Sequence, residues 1–223
     1  MCGRFTLATD PMNFIRFLLE YDTSDAFTPR YNIAPTQPVA VVPNNGTERI
    51  EFFRWGLIPP WANDPKIGNR MINARAETLS EKPSFRNAYR RRRCLVLADG
   101  YYEWRKEPGG GAKTPFYIRM ASEKPFAFAG LWEAWRPQGE VEPVLSCSII
   151  TCPANEMLQS IHHRMPAILD QDAYDLWLNP VECPPAALNH LLTPYPPEEM
   201  EAFAVSRLVN QPKNDSSECI LPV

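Results

Sequence analysis

The chain has 223 residues, 44% hydrophobic and 22% charged, a balance that excludes a disordered tract and suits one large globular domain. The formal net charge of −3 denies it the overall basic excess usual in a nucleic-acid binder, although a groove can be basic on an acidic protein. No run approaches the ~18 consecutive apolar residues of a membrane span. Nor does Met1-Cys2-Gly3-Arg4-Phe5-Thr6-Leu7 hold the apolar core of a secretory signal, so a cytoplasmic protein without membrane contact is expected.

In chain order, Asp10-Pro11 opens a predicted helix that ends near Tyr21. Residues 38–43 and 48–55 read as strands around the Asn45-Gly46 hairpin signal. A long proline-rich loop, 56–72, carries Trp61 and leads into Asn73-Ala74-Arg75-Ala76-Glu77-Thr78. Residues 84–93 are arginine-rich and read as a helix or turn, followed over 94–104 by a strand, an Asp99-Gly100 turn and a second strand. Beyond the mobile Gly109-Gly110-Gly111 loop, strands are expected near 115–120, 126–132 and 144–151, then a short helix, then a helix capped by Asp170 and running to about Leu178. The remainder reads as short helices and proline loops. With 24 prolines spread along the chain, and neither a repeat nor a linker, the expectation is one α+β domain over 1–223, built on an antiparallel sheet or open β-barrel with flanking helices.

Six cysteines, at 2, 94, 147, 152, 183 and 219, include no CxxC pair, and the three histidines lack zinc-ligand spacing; no metal and no cofactor is expected. Cys2 is the first chemical candidate. Removal of Met1 exposes an α-amine of reference pKa ~7.7–8.0 beside a thiol of ~8.5, and this 1,2-aminothiol condenses with an aldehyde to a thiazolidine. A small buried residue opening a strand is the plain alternative. Glu103 stands among aromatics in Gly100-Tyr101-Tyr102-Glu103-Trp104. Pointed inward it is a desolvated proton carrier, pointed outward a solvated carboxylate, and strand alternation alone leaves both open. His162 can titrate near neutrality or be structural, and Asn73 and Arg75 share one face of an extended segment. Arg90-Arg91-Arg92-Arg93 is either a phosphate contact or a solvated helix face.

Six segments occur in order: Met1-Cys2-Gly3-Arg4-Phe5, Arg30-Tyr31-Asn32-Ile33-Ala34-Pro35, Arg54-Trp55-Gly56-Leu57-Ile58-Pro59, Asn73-Ala74-Arg75-Ala76-Glu77-Thr78, Ala98-Asp99-Gly100-Tyr101-Tyr102-Glu103-Trp104 and Ile161-His162-His163-Arg164-Met165-Pro166. Over about residues 2–178 the chain resembles the SRAP family, the SOS-response-associated peptidase-like proteins that shield abasic sites. The resemblance implies that Cys2 cross-links to the abasic sugar after loss of Met1, and that Asn73, Glu103 and His162 complete the catalytic set. It further implies that Arg4, Arg75, Thr151 and Arg164 grip the DNA backbone and that Pro35 and Trp61 belong to an apolar wedge. The implied partner is single-stranded DNA carrying abasic sites, met by a monomer. An N-terminal-nucleophile amidohydrolase and a non-covalent single-strand binding module are the rival readings.

Overall fold

The computed structural model describes residues 2–9, 28–47 and 49–223. Its strands are β1 (Phe5–Leu7), β2 (Arg30–Ile33), β3 (Pro38–Pro43), β4 (Glu51–Trp55), β5 (Asn73–Arg75), β6 (Arg93–Ala98), β7 (Gly100–Arg105), β8 (Thr114–Met120), β9 (Phe126–Trp135), β10 (Val144–Pro153), β11 (Arg164–Pro166), β12 (Ile168–Leu169) and β13 (Met200–Ala204). Short helices α1 (Arg86–Arg91), α2 (Glu156–Gln159) and α3 (Tyr174–Leu178) and several 3-10 turns flank them. The helix expected after Asp10 lies outside the described residues.

The α+β class holds, and the barrel is closed. Strands β10, β4, β3, β6 and β9 neighbour one another in that order, and the β9–β10 hairpin joins the two ends. Length explains the closure, since β9 and β10 have ten residues each. One part of β9 pairs with β6 (Arg93↔Leu131 to Ala98↔Phe126) and the other with β10 (Ile149↔Gly130 to Val144↔Trp135). Pairing is antiparallel except along β10, which runs parallel to β4 and then to β5. A second, antiparallel sheet has the order β13-β8-β7-β1-β2.

The Asp99-Gly100 turn does not make a hairpin; it is the corner where the chain leaves the barrel for the second sheet. Strand β6 pairs with β3 and β9, whereas β7 pairs with β1 and β8. The Asp99 carboxylate accepts from Thr6 Oγ1 at 2.5 Å and from the amides of Ala8 (2.6 Å) and Thr9 (2.7 Å), which ties β1 to the corner. Glycine is required next, because a Cβ at Gly100 would lie 2.1 Å from the Tyr117 hydroxyl. Strand β13 was not expected: Met-Glu-Ala-Phe-Ala lacks β-branched residues, and its pairing with β8 overrides weak propensity. Asp170 precedes a 3-10 turn without capping it through its side chain.

The main core fills the barrel and the space beneath β1 and β7. Phe128 packs edge-on against Phe5, Tyr101 and Phe126. Burying such a ring contributes about 1.5–3 kcal/mol. Tyr102 and Tyr117 face a separate cluster with Val205, Val209 and Cys219. Successive residues of β7 thus serve two cores. Among the described residues no helix is long and apolar enough to cross a membrane.

Candidate active site

Cys2 lies just before β1 with no exposed surface. Its carbonyl accepts a 2.7 Å hydrogen bond from Asn73 Nδ2, and its thiol points at the Arg4 carbonyl, 3.7 Å away. Asn73 opens β5, and parallel pairing with β10 (Ile149↔Asn73) fixes it there. Its Oδ1 is buried with no hydrogen-bond partner among the described residues. Burial, followed by the Glu103 carboxylate, pushes the Cys2 thiol far above its ordinary value. The reference thiol expected from sequence is therefore corrected: this sulfur is protonated at neutral pH and needs a base.

Glu103 supplies a carboxylate suited to that task. It points inward with 4% of its surface exposed, which decides between the two readings left open by alternation. Burial raises its carboxyl above the ordinary range, against a lowering by the positive amino terminus of the chain. His162 follows α2 and stacks on His163 with centroids 4.4 Å apart. His162 Nδ1 lies 3.0 Å from the Arg164 amide nitrogen and 3.2 Å from the Arg164 carbonyl oxygen, so the Arg164 backbone holds the ring in either neutral tautomer. Burial first, and then the charge of the amino terminus, lower the His162 pKa and favour the neutral form.

The residues expected to grip DNA divide into three groups. Arg75 is exposed and makes no hydrogen bond or ion pair among the described residues. Arg164, on β11, forms a two-pronged pair with Glu77 at 2.5 and 2.9 Å and also donates to the Thr151 carbonyl at 2.6 Å. Thr151 is itself fully buried, its hydroxyl donating to the Ala74 carbonyl, so it braces Arg164 through its backbone instead of offering a surface hydroxyl. Arg4 is turned inward, donating to Asn32 Oδ1 (2.7 Å) and the Val209 carbonyl (2.6 Å), and lies 5.9 Å over Trp104. It binds the C-terminal segment to β2.

Pro35 is half-buried in the β2–β3 turn, and Trp61 is 56% exposed. Trp61 stands on a loop whose neck is shut by two glycines. A Cβ on either Gly56 or Gly68 would come within 2.6 Å of the other's carbonyl oxygen. Trp61, Lys66, Asn69 and Arg70 line a depression of about 500 Å³ on this loop.

Each member of the arginine run has a partner within the chain, the first two at the surface. Arg90 and Arg91 pair with Glu182, Arg92 with buried Glu133, and Arg93 is wholly buried on backbone carbonyls. Among the described residues no cluster of His, Cys, Asp or Glu is arranged to hold a metal.

Residues 1–212 match the family described as SOS response associated peptidase (SRAP). The chain belongs to the SRAP family. It is 48% identical over 229 residues to the abasic site processing protein YoqW of Bacillus subtilis strain 168, covering 99% of both chains. Across a larger evolutionary distance it is 33% identical to the abasic site processing protein HMCES of Gallus gallus, over 88% of this chain and 67% of that one. A crystal structure of a protein from Bacteroides thetaiotaomicron superposes with a TM-score of 0.89 at 29% identity, covering all of both chains.

Two residues beside the candidate site escaped the sequence reading. Glu77 lies inside the quoted Asn73–Thr78 motif, on the 3-10 turn after β5, and its pairing with Arg164 of β11 joins segments that are distant in sequence. Tyr101 precedes Glu103 by two residues and shares its face, a relation that alternation does show once the inward face is known.

Proposed function

We propose that this protein recognises abasic sites in single-stranded DNA and joins itself to them covalently through Cys2, once Met1 has been removed. The observation that carries the reading is the hold on Cys2: Asn73 Nδ2 donates to its carbonyl at 2.7 Å, with the inward-facing Glu103 carboxyl buried in the same region and raising the thiol pKa. The names of relatives such as YoqW and HMCES, abasic site processing proteins, support the same substrate.

In the proposed reaction the Cys2 amine attacks the aldehyde of the ring-opened sugar, and loss of water gives an imine. The thiol then adds across the C=N bond. Its sulfur bonds to carbon, the π pair moves to nitrogen, and the thiol proton is taken by Glu103 and delivered to that nitrogen. One aldehyde and one aminothiol give one thiazolidine and one water. His162 assists opening of the sugar by hydrogen bonding to its oxygen. Ring closure also removes the imine from which the strand would break by β-elimination. The exposed Arg75, the braced Arg164 and the Trp61 depression supply the charge and stacking surface that single strands need. The protein acts as a monomer in the cytoplasm.

Intact-mass measurement tests this directly. Protein mixed with an abasic oligonucleotide should lose the mass of Met1 and gain that of the oligonucleotide less one water, in an adduct that survives heat without reductant. Absence of a covalent adduct with salt-sensitive binding intact would leave a non-covalent binding module, and DNA-independent turnover of small amides would favour the amidohydrolase.

A further inference from the structure

Tyr101 is buried completely, opposite Phe5 across the β1–β7 pairing. Its ring packs edge-on to Phe128 at 5.9 Å. It belongs to the same core cluster as Cys2, while the next residue, Tyr102, faces the other one. Residues two apart on a strand share a face, so Tyr101 and Glu103 stand side by side beneath the chain's N-terminal segment.

The other fully buried tyrosines have partners for their hydroxyls. Tyr89 donates to Asn189 Oδ1 at 2.8 Å, Tyr102 to the Tyr31 carbonyl at 2.7 Å, and the Tyr117 hydroxyl meets Thr6 Oγ1 at 3.0 Å. Tyr101 alone among these four has a hydroxyl with no hydrogen-bond partner among the described residues. A phenylalanine would pack the same ring without stranding a polar atom in the core. The second stranded atom nearby is Asn73 Oδ1, on the residue that holds Cys2.

We propose that the Tyr101 hydroxyl is a positioning group for Cys2, donating a hydrogen bond to its sulfur as the carbon–sulfur bond forms. The inference rests on Cys2 being the reacting residue. It adds a donor that the sulfur lacks in the resting protein, where the Cys2 thiol is directed at a carbonyl. Burial, and next the charge on Cys2, hold the Tyr101 hydroxyl well above its ordinary pKa, so it remains a protonated donor throughout the neutral range. The bond transfers no proton. It stabilises negative charge on sulfur while Glu103 removes the thiol hydrogen.

Tyr101→Phe deletes only the oxygen. Three measurements on Met1-free wild type and variant separate the roles. Borohydride trapping on abasic single-stranded DNA, which requires only the amine, should proceed at the wild-type rate. Conversion of the imine to heat-stable adduct should slow about five- to tenfold, the scale of one net hydrogen bond. Alkylation of Cys2 by iodoacetamide, located by peptide mass mapping, should shift its pH profile upward, and this arm uses no DNA. Thermal stability should be unchanged or higher. Ring closure within twofold of wild type together with an unshifted alkylation profile would overturn the proposal. So would a variant that is destabilised and loses trapping and closure equally, because the hydroxyl would then be structural. A wild type that forms no DNA adduct would remove the proposed function, while the alkylation arm would still decide the Tyr101–Cys2 contact.

Discussion

Two regions bury strongly polar groups in this protein and treat them in opposite ways. Around Arg93 the account is complete. The guanidinium donates to the carbonyls of Trp177, Tyr89, Arg90, Asn179 and Val181, and the Arg93 amide donates to Asn44 Oδ1. Around Cys2 it is left incomplete. Asn73 Oδ1 and the Tyr101 hydroxyl are unpartnered among the described residues, and the Glu103 carboxyl and Cys2 thiol are both raised by burial. Equal burial therefore has two meanings. Satisfied polar groups hold α1, β6 and α3 in register, whereas the stranded ones near Cys2 belong to the residues of the proposed reaction.

The comparison can be broken at several points. Cys2→Ser should abolish heat-stable adduct altogether while leaving a borohydride-trappable imine, since the amine survives. A wild-type yield of stable adduct in gel assays would place the chemistry elsewhere. Arg93→Met should leave several carbonyls stranded and cost about 3–5 kcal/mol, the scale for breaking a buried charged network. That corresponds to a fall in Tm of roughly 6–20 °C, with adduct formation per folded molecule unaltered. A change under 1 kcal/mol in chemical unfolding would deny Arg93 its structural role.

Glu103→Gln should act on both sides of the comparison. Adduct formation should slow by about 10²-fold or more, as loss of a general base commonly does. Folding should respond in the other direction. Because the folded carboxyl pKa is raised, the native state holds a proton that the unfolded chain has lost, over the window between the ordinary carboxylate value and the raised one. Wild-type stability thus falls as pH rises through that window and levels off above it. The variant should gain on wild type between acid and neutral pH, and unfolding curves that stay parallel would contradict the buried charge. The smallest effect is expected at Arg75, whose exposed side chain makes no hydrogen bond or close ion pair among the described residues. Arg75→Ala should weaken binding to intact and abasic single strands alike and lower the salt slope by about 0.7, one phosphate contact. Unchanged binding with impaired cross-linking would move Arg75 into the chemistry.

The family was legible because its residues sit in short ordered motifs, and the aminothiol chemistry proposed for Cys2 follows from residue type alone. Orientation was not. Whether Glu103 faces inward depends on β7 lying between β1 and β8, which alternation along one strand does not encode. The arginine run was left open between two readings because charge is visible in sequence while Glu133 and Glu182, its partners, are separated from it by roughly forty to ninety positions. Arg4 and Thr151 kept their motif positions but turned inward, for the same reason. At the level of the fold, Asp99-Gly100 has the composition of a hairpin turn, and only the pull of Asp99 on β1 makes it a corner. Strand β13 was hidden because its pairing is tertiary and its propensity weak.

Strand β10 has a kinetic consequence. It carries β5 by parallel pairing at Asn73–Arg75 and β11 by antiparallel pairing at Arg164–Pro166, while its earlier residues close the barrel. Asn73 thus waits for a partner strand more than seventy residues later in the chain. Contacts of such sequence separation form late, after the loops they close have lost their freedom. During synthesis the Cys2 end emerges first, yet the asparagine that grips it has no fixed place until β10 has left the ribosome and docked. The nascent chain therefore carries Cys2, the proposed nucleophile, for most of its translation without the surroundings that would make it act.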